Sequence, residues 1–269
     1  MQTPSRLTDI SALRLHRNRA RETFLHAEVA EEVQERLNEV NRRFTDPVVI
    51  SPFPQIWRNF DKVICDDEIL NLSPSSHDLA IHGLSLHWSN DPVGQMIQCR
   101  RALRPDGLFL AFMFGGQTLR ELRACLAQAE IDVTGGLSPR VLPMGEIRDL
   151  GGLLQRSGFT LPVADSFTKT VRYRDAFHLM RDIRAMGEGN ALADRLRRPT
   201  RRDVFLQAAK VYHEQYADSE GRIPATFEII CLTGWAPDPS QQQPLRPGSA
   251  KQRLADALKT FDLPADSTK

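Results

Sequence analysis

Apolar residues recur at intervals of three and four between residues 18 and 43, and Phe24, Val29 and Val33 belong to this series. The period is that of an amphipathic helix with one face toward a core. The pattern therefore predicts an N-terminal helical segment within residues 1–45.

Short apolar runs and helical patterns then alternate along the chain. The predicted strands are residues 48–50, 62–65, 78–84 and 108–114, and the predicted helices between them are residues 91–103 and 118–129. Alternation with short connections is typical of βαβ units. The predicted fold class is therefore α/β, with a mostly parallel sheet and flanking helices.

The second half of the chain continues this domain and adds helices. A loop over residues 130–145 precedes predicted helices over 146–156, 176–186 and 201–216 and a predicted strand over 227–233. We place the α/β domain at residues 46–236, with a helical insertion at about 171–220. Residues 237–249 are rich in Pro, Gln and Ser, which predicts an extended tail over 237–269 with a short helix at 250–261.

Composition excludes several classes of protein. The chain has 269 residues, with 35 Lys+Arg against 34 Asp+Glu and a net charge of +1, so no strong basic excess indicates a nucleic-acid partner. The densest basic run is Arg195, Arg197, Arg198, Arg201 and Arg202. It suits an anionic partner or a solvated helix boundary. No apolar run approaches the roughly 18 to 20 residues of a membrane span.

Cysteine and histidine spacing predicts neither a disulfide framework nor a metal site. The four cysteines stand far apart, and His77, His82 and His87 are five residues apart rather than four. A reducing cytoplasm is the simplest compartment. The basic residues 13–21 leave a transit peptide as the alternative.

Several segments, in this order, resemble one known family. They are Leu84–Pro92 (LSLHWSNDP), Leu103–Gly107 (LRPDG), Met113–Arg123 (MFGGQTLRELR), Gly135–Pro139 (GGLSP), Met180–Asn190 (MRDIRAMGEGN), Ile223–Thr226 (IPAT) and Gly234-Trp235. The set resembles the class I S-adenosylmethionine (SAM) methyltransferases of the complex I assembly-factor group and, more distantly, the malonyl-carrier-protein methyltransferases of biotin synthesis. The resemblance implies a Rossmann-like fold, a seven-stranded sheet and SAM at the carboxyl ends of the first strands.

The glycine-rich cofactor loop of that family has no counterpart in the chain. All 16 glycines lie at or after Gly83, and the segment after the first predicted strand contains Pro52 and Pro54 instead. Proline offers no backbone N–H to a ligand, and every replaced glycine adds a Cβ. The sequence therefore predicts a truncated methyltransferase fold in which SAM binding is doubtful.

Three residues are the candidates for the cofactor side. The resemblance places Asp66 at the acid that contacts the adenine amino group, although a solvated strand end explains the same residue. His87 and Trp88 follow the central strand, at the edge where ligands of α/β sheets bind. There His87 is the candidate proton acceptor and Trp88 a pocket wall, and the alternative is that both residues only pack.

Six further residues are candidates for substrate or partner binding. Gly115 and Gly116 lie between a strand and a helix, where backbone N–H groups can face an anion or form a tight connection. Arg181, Arg184, Glu188 and Asn190 lie in one segment that the resemblance places on the substrate side, and a solvated helix face is the alternative.

Three functions follow as hypotheses. The first is a methyltransferase-family protein with an eroded cofactor site that acts by binding a protein partner, as a respiratory-complex assembly factor would. The second is an active methyltransferase or related protein-modifying enzyme with an unusual cofactor loop; the resemblance associates the assembly-factor group with arginine hydroxylation. The third is a binder of a carboxylate or carrier protein through Arg181 and Arg184.

Overall fold

The computed structural model describes residues 6–241, of which residues 6–237 belong to one compact unit. Within it the helices are α1 (Ile10–Arg17), α2 (Phe24–Glu39), α3 (Pro92–Ala102), α4 (Arg120–Thr134), α5 (Ile147–Arg156), α6 (Ala176–Ala185) and α7 (Arg202–Tyr216). The strands are β1 (Pro47–Ile50), β2 (Val63–Ile64), β3 (His77–His82), β4 (Leu103–Phe114), β5 (Thr160–Tyr173) and β6 (Ile223–Trp235).

The strands form one six-stranded sheet in the order β2-β1-β3-β4-β6-β5. The first four are parallel neighbours, whereas β6 runs antiparallel to both β4 and β5. The predicted mostly parallel α/β fold is confirmed. The sheet has six strands in the described part, where the resemblance implied seven, because a 3₁₀ turn (Pro54–Ile56) and short loops stand between β1 and β2.

Burial follows the position of each strand in the sheet. Every residue of β3, the central parallel strand, is buried, since helices cover both faces. One face packs on α2, α4, α6 and α7, with Val29, Leu122 and Ala208 in the same apolar cluster. The other face packs on α3 and α5 through Met96 and Leu154. The edge strand β5 is mostly exposed along its length.

Two predicted elements differ in detail from the structure. The helix predicted within residues 18–43 is confirmed as α2, and the preceding residues 10–17 form a separate helix, α1, which buries Leu13. The predicted turn at residues 104–107 lies inside β4 as an irregularity of its pairing with β3, with Asp106 at a φ of 60°. The predicted tail helix at 250–261 lies outside the described residues.

Candidate functional site

The carboxyl ends of β1, β2 and β3 meet at one edge of the sheet, and the segments that leave them carry the candidate cofactor residues. Leu84, with a φ of 51°, turns the chain after β3 into a 3₁₀ turn over Leu86–Trp88. This turn buries both His87 and Trp88. The sequence therefore directs two ring side chains into the interior, where ligands of α/β sheets bind.

Glu188 joins these two rings. Trp88 donates its indole N–H to Glu188 Oε2 at 2.6 Å, and His87 Nε2 lies 3.3 Å from the same oxygen. Burial by itself raises the pKa of Glu188. Its hydrogen bond to His87 and the nearby charge of Arg17 outweigh that effect and lower the pKa to about 2. Glu188 is therefore a carboxylate at neutral pH, and the fold brings it together with His87 and Trp88, which the sequence had placed in a different group of candidates.

Asp66 is ion-paired inside the protein. Arg17, the last residue of α1, donates from Nη1 to Asp66 Oδ2 at 2.7 Å, and both side chains are about nine-tenths buried, with 9% and 12% exposed. One turn earlier on α1, Arg14 pairs with Asp67 in an exposed position. The N-terminal helix is thus held to the residues after β2 by two parallel ion pairs, of which one is buried.

Two buried histidines lie at this edge as well. His82 Nε2 is hydrogen-bonded to Gln95 Oε1 at 2.9 Å. Neither ring nitrogen of His26 has a hydrogen-bond partner in the described structure. Burial lowers the pKa of each imidazole to about 4, so both are neutral at pH 7. The buried polar atoms without a described partner here are both ring nitrogens of His26, Nε and Nη2 of Arg17, Nε1 of Trp57 and Oε1 of Glu188.

The turn at Gly115 and Gly116 already faces an anion of the chain itself. Glu228 of β6 accepts from the Gln117 N–H through Oε2 at 2.9 Å, and its carbonyl accepts from the Gly115 N–H at 2.9 Å. A Cβ on Gly115 would collide with the Glu228 carboxylate. The structure therefore supports the tight-connection interpretation of this turn over the anion-binding one.

Two cavities flank Trp88. The first, of about 670 Å³, is lined by Trp88 together with the predicted partner residues Arg181, Arg184, Glu188 and Asn190. The second, of about 750 Å³, lies over the ends of the strands and is lined by Trp88, Asp66 and residues of α1. Asp66 and the 181–190 segment therefore belong to different cavities, with the Trp88 indole between them. Both volumes suit a bound small molecule or side chains of a partner.

The geometry at the cofactor edge does not match the binding mode that the resemblance implies for SAM. A Cβ on Gly83, the first glycine of the chain, would overlap the Trp57 ring, so that ring fills the space beside the β3 end. Phe53 and Trp57 are both buried after β1, and the adjacent prolines offer no N–H. One oxygen of the Asp66 carboxylate, Oδ2, already accepts from the Arg17 guanidinium.

Sequence reasoning missed several residues of this region. Arg17, Arg19 and Arg21 were part of the basic stretch that is typical of a transit peptide, and the helix and loop of that stretch line the two cavities. Glu228 and His26 gave no signal, because one lies on a strand far along the chain and the other on a predicted helix face. Only folding brings them to this edge.

The remaining candidate features are the basic run, a metal site and a membrane-spanning helix. In the basic run, Arg195 and Arg197 pair with Asp9, and Arg201 pairs with Asp203. Within residues 6–241, no cluster of three His, Cys, Asp or Glu side chains has the geometry to hold a metal ion. In the same range, none of the helices combines the length and apolarity needed to cross a bilayer.

Comparison with known proteins gives sequence relatives of two kinds. The chain is 45% identical over 192 residues to arginine-hydroxylase NDUFAF5, mitochondrial, of Dictyostelium discoideum, covering 71% of this chain and 44% of that protein. The Danio rerio protein of the same name is 39% identical over 204 residues, covering 76% and 63%. A malonyl-[acyl-carrier protein] O-methyltransferase of Xylella fastidiosa is 33% identical over 181 residues, covering 67% and 59%.

The predicted resemblance is confirmed. The chain is similar to the NDUFAF5 and malonyl-carrier-protein methyltransferase proteins, and its mostly parallel sheet with flanking helices is Rossmann-like. It spans 44 to 63% of the length of the three relatives given above. No protein-family model matches the chain. Among solved structures, YcgJ of Bacillus subtilis is 11% identical with a TM-score of 0.48, covering 77% of this chain and 99% of that one.

Proposed function

We propose that this protein is a methyltransferase-like binding protein with an eroded cofactor site, which acts on a protein partner in the manner of a respiratory-complex assembly factor. The relatives named NDUFAF5 support the assembly-factor part of the proposal. A protein partner takes the place that a methyl acceptor has in an active enzyme of this fold.

The observation that carries the proposal is the buried ion pair of Arg17 and Asp66. An adenine amino group is a hydrogen-bond donor, and it would have to compete with a guanidinium that is already donating to the acid at short range. Opening the pair would leave two buried charges without compensation, which is costly. Together with the Trp57 ring beside Gly83, this pair weighs against a SAM cradle at the edge, where the second cavity is lined by α1 and by the paired Asp66.

Calorimetry with SAM and with S-adenosylhomocysteine, on protein stripped of carried-over ligand, tests directly whether the cofactor site is eroded. We expect no heat of binding up to about 1 mM, which corresponds to a binding free energy weaker than roughly −4 kcal/mol. The malonyl-carrier-protein methyltransferase of Xylella fastidiosa, similar to this chain over 181 residues, serves as the positive control. Micromolar binding of SAM to this protein would contradict the eroded site.

Partner binding requires a separate measurement. Affinity capture from cells is followed by production of the captured protein alone and by direct titration of the purified pair. We expect a saturable complex of defined stoichiometry. A protein that turns over SAM on that partner would instead support the alternative below.

The alternative is an active methyltransferase or related protein-modifying enzyme with an unusual cofactor loop, and the first cavity favours it. There Trp88 and Glu188 provide an aromatic wall and a carboxylate, a pair that suits a cationic side chain, and relatives are named arginine-hydroxylase. Mass spectrometry of an arginine-containing peptide after incubation, with SAM and without it, tests for an added methyl group or oxygen atom. An unmodified peptide removes this candidate.

The proposed compartment is the cytoplasm, and the mitochondrion is the alternative. All four cysteines are free thiols, and Cys99, Cys125 and Cys231 are buried, which agrees with a reducing compartment such as the cytoplasm. The NDUFAF5 relatives carry the word mitochondrial in their names. Fractionation of cells that express the tagged protein distinguishes the two locations.

A further inference from the structure

The cavity of about 670 Å³ beside Trp88 has an apolar floor. Leu122 and Leu126 line it from α4, Leu119 from the position just before that helix, and Met180 and Ile183 from α6. Leucines four residues apart, such as Leu122 and Leu126, lie on one face of a helix. A ligand that fills this floor must therefore bring apolar side chains of its own.

Four arginines surround the floor. Arg19 and Arg21 lie between α1 and α2, and Arg181 and Arg184 lie one turn apart on α6. The two groups are held together because the N–H of Arg21 donates to the carbonyl of Ala185 at 2.7 Å. The rim therefore combines positive charge from two segments whose backbones are joined, and we call this site the arginine-rimmed cavity.

The four rim arginines have no close acidic partner within the described structure. None of them forms an ion pair within 4.0 Å there, whereas Arg140, which also lines the cavity, is paired with Glu130 at 2.7 Å. Glu188 is the sole acid among the lining residues of this cavity, and its Oε2 already accepts from Trp88. The rim thus has the charge of a site that attracts several carboxylates.

We propose that the arginine-rimmed cavity binds an acidic amphipathic segment of a protein partner. The apolar side chains of the segment fill the leucine-lined floor, and its carboxylates pair with the guanidinium groups on both sides of the rim. Inorganic anions would leave the floor in water, and a single carboxylate would leave most of the rim unpaired. This inference rests on the proposed function, because it specifies the chemistry of the partner.

Fluorescence anisotropy with labelled peptides tests the inference on the full chain. One peptide has about four helical turns with leucines on one face and glutamates on the other, and its counterpart replaces every glutamate with lysine. We expect the acidic peptide to bind at least about tenfold more tightly, with an affinity that falls as salt is raised. Equal binding of both peptides, or tighter binding of a single-stranded oligonucleotide or a fatty acid, would overturn the proposal.

Charge reversal places the peptide in the cavity. The double variant R181E/R184E should lose about tenfold or more in affinity for the acidic peptide and should gain affinity for the lysine peptide. The matched control R148E/R156E makes the same charge change at exposed positions of α5 outside this cavity, and it should bind as the unmodified protein does. Thermal melting of both variants verifies that the fold is retained, and loss of binding in both would contradict the site.

The outcomes separate this inference from the function on which it rests. A purified partner that binds unchanged to R181E/R184E would overturn the arginine-rimmed cavity and leave partner binding intact. Micromolar SAM binding together with selective capture of the acidic peptide would contradict the eroded cofactor site and leave the cavity assignment standing.

Discussion

At the scale of single residues, the two ion pairs between α1 and the loop after β2 differ mainly in burial. The pair of Arg17 and Asp66 is buried, and the pair of Arg14 and Asp67, three residues earlier on the helix, has 65% and 52% of its side chains exposed. The same chemistry on the same two segments therefore provides a matched comparison. The buried pair occupies one oxygen of the Asp66 carboxylate away from bulk water, whereas the exposed pair lies in solvent.

Replacement of Arg17 by Met should lower the free energy of unfolding by about 3 kcal/mol, because Asp66 is left buried without its partner. Replacement of Arg14 by Met should cost at most about 1 kcal/mol, since its pair is exposed and screened. Urea unfolding of both variants gives the two numbers. Equal small losses would mean that the buried pair does not hold α1 in place.

Glu188 belongs to the site because of its contacts with residues that are distant in the sequence. It lies outside any helix or strand, after α6, yet its oxygen accepts from Trp88 and lies next to His87 from the opposite side of the site. The sequence indicated each residue separately. The contacts among these three residues depend on the fold. They place Glu188 in a buried polar cluster, so the alternative of a solvated helix face does not hold for that residue.

At the scale of elements, the connection from β4 to α4 is stabilised by β6. Thr118 and Glu228 exchange hydrogen bonds of 3.0 Å, and the N–H of Leu119 donates to the carbonyl of Thr226 at 2.7 Å. Thr226 in turn donates from its hydroxyl to the buried Glu121. The glycine turn and the Ile-Pro-Ala-Thr segment, which appeared as separate motifs in the sequence, are therefore two sides of one helix-to-strand junction.

Two glycine substitutions compare the packing at this junction with the packing around an ordinary helix. Gly115→Ala should lower the free energy of unfolding by about 1 kcal/mol, because the Glu228 carboxylate must turn away from the new methyl group and loses its hydrogen bond from the Gln117 N–H. Gly152→Ala, within α5 where no atom lies within 4 Å of the new methyl group, should raise it by about 0.5 to 1 kcal/mol. Thermal or urea unfolding decides the signs, and a neutral Gly115→Ala would contradict the tight junction.

At the scale of the whole molecule, buried histidines make stability depend on pH. The pKa of His26 and of His82 is lowered to about 4 by burial, from about 6.5 in the unfolded chain. Below about 6.5 the unfolded state therefore binds more protons than the native state. The stability that these groups contribute is complete above that pH and decreases as the pH falls toward about 4. The pKa of Glu188, lowered to about 2, adds a further loss below about 4.5.

We expect the free energy of unfolding to decrease steadily between about pH 6.5 and 4.5, with each of the two histidines contributing up to about 1.4 kcal/mol per pH unit. His26→Phe should reduce that slope and leave or raise the stability at pH 7, since both ring nitrogens of His26 lack a partner in the described structure. Urea unfolding across this pH range provides the test. The exposed His213→Gln is the control, and an unchanged slope in His26→Phe would contradict the assignment.

The sequence by itself determined the α/β class, the order of the four parallel strands and of the helices from α2 onward, and the resemblance to methyltransferases, but it did not indicate α1 or β5 as separate elements. These follow from local periodicity, from turns and from contiguous motifs, which need no knowledge of distant contacts. It also indicated that the cofactor loop is missing, because the lack of glycine before Gly83 is a property of composition. The tertiary structure alone decided which candidates meet. Arg17 reaches Asp66 across 49 positions, Glu188 reaches Trp88 across 100, and Glu228 reaches Gln117 across 111. Such long-range pairs are set by how the whole sheet and its helices pack, and no local pattern in the chain records them.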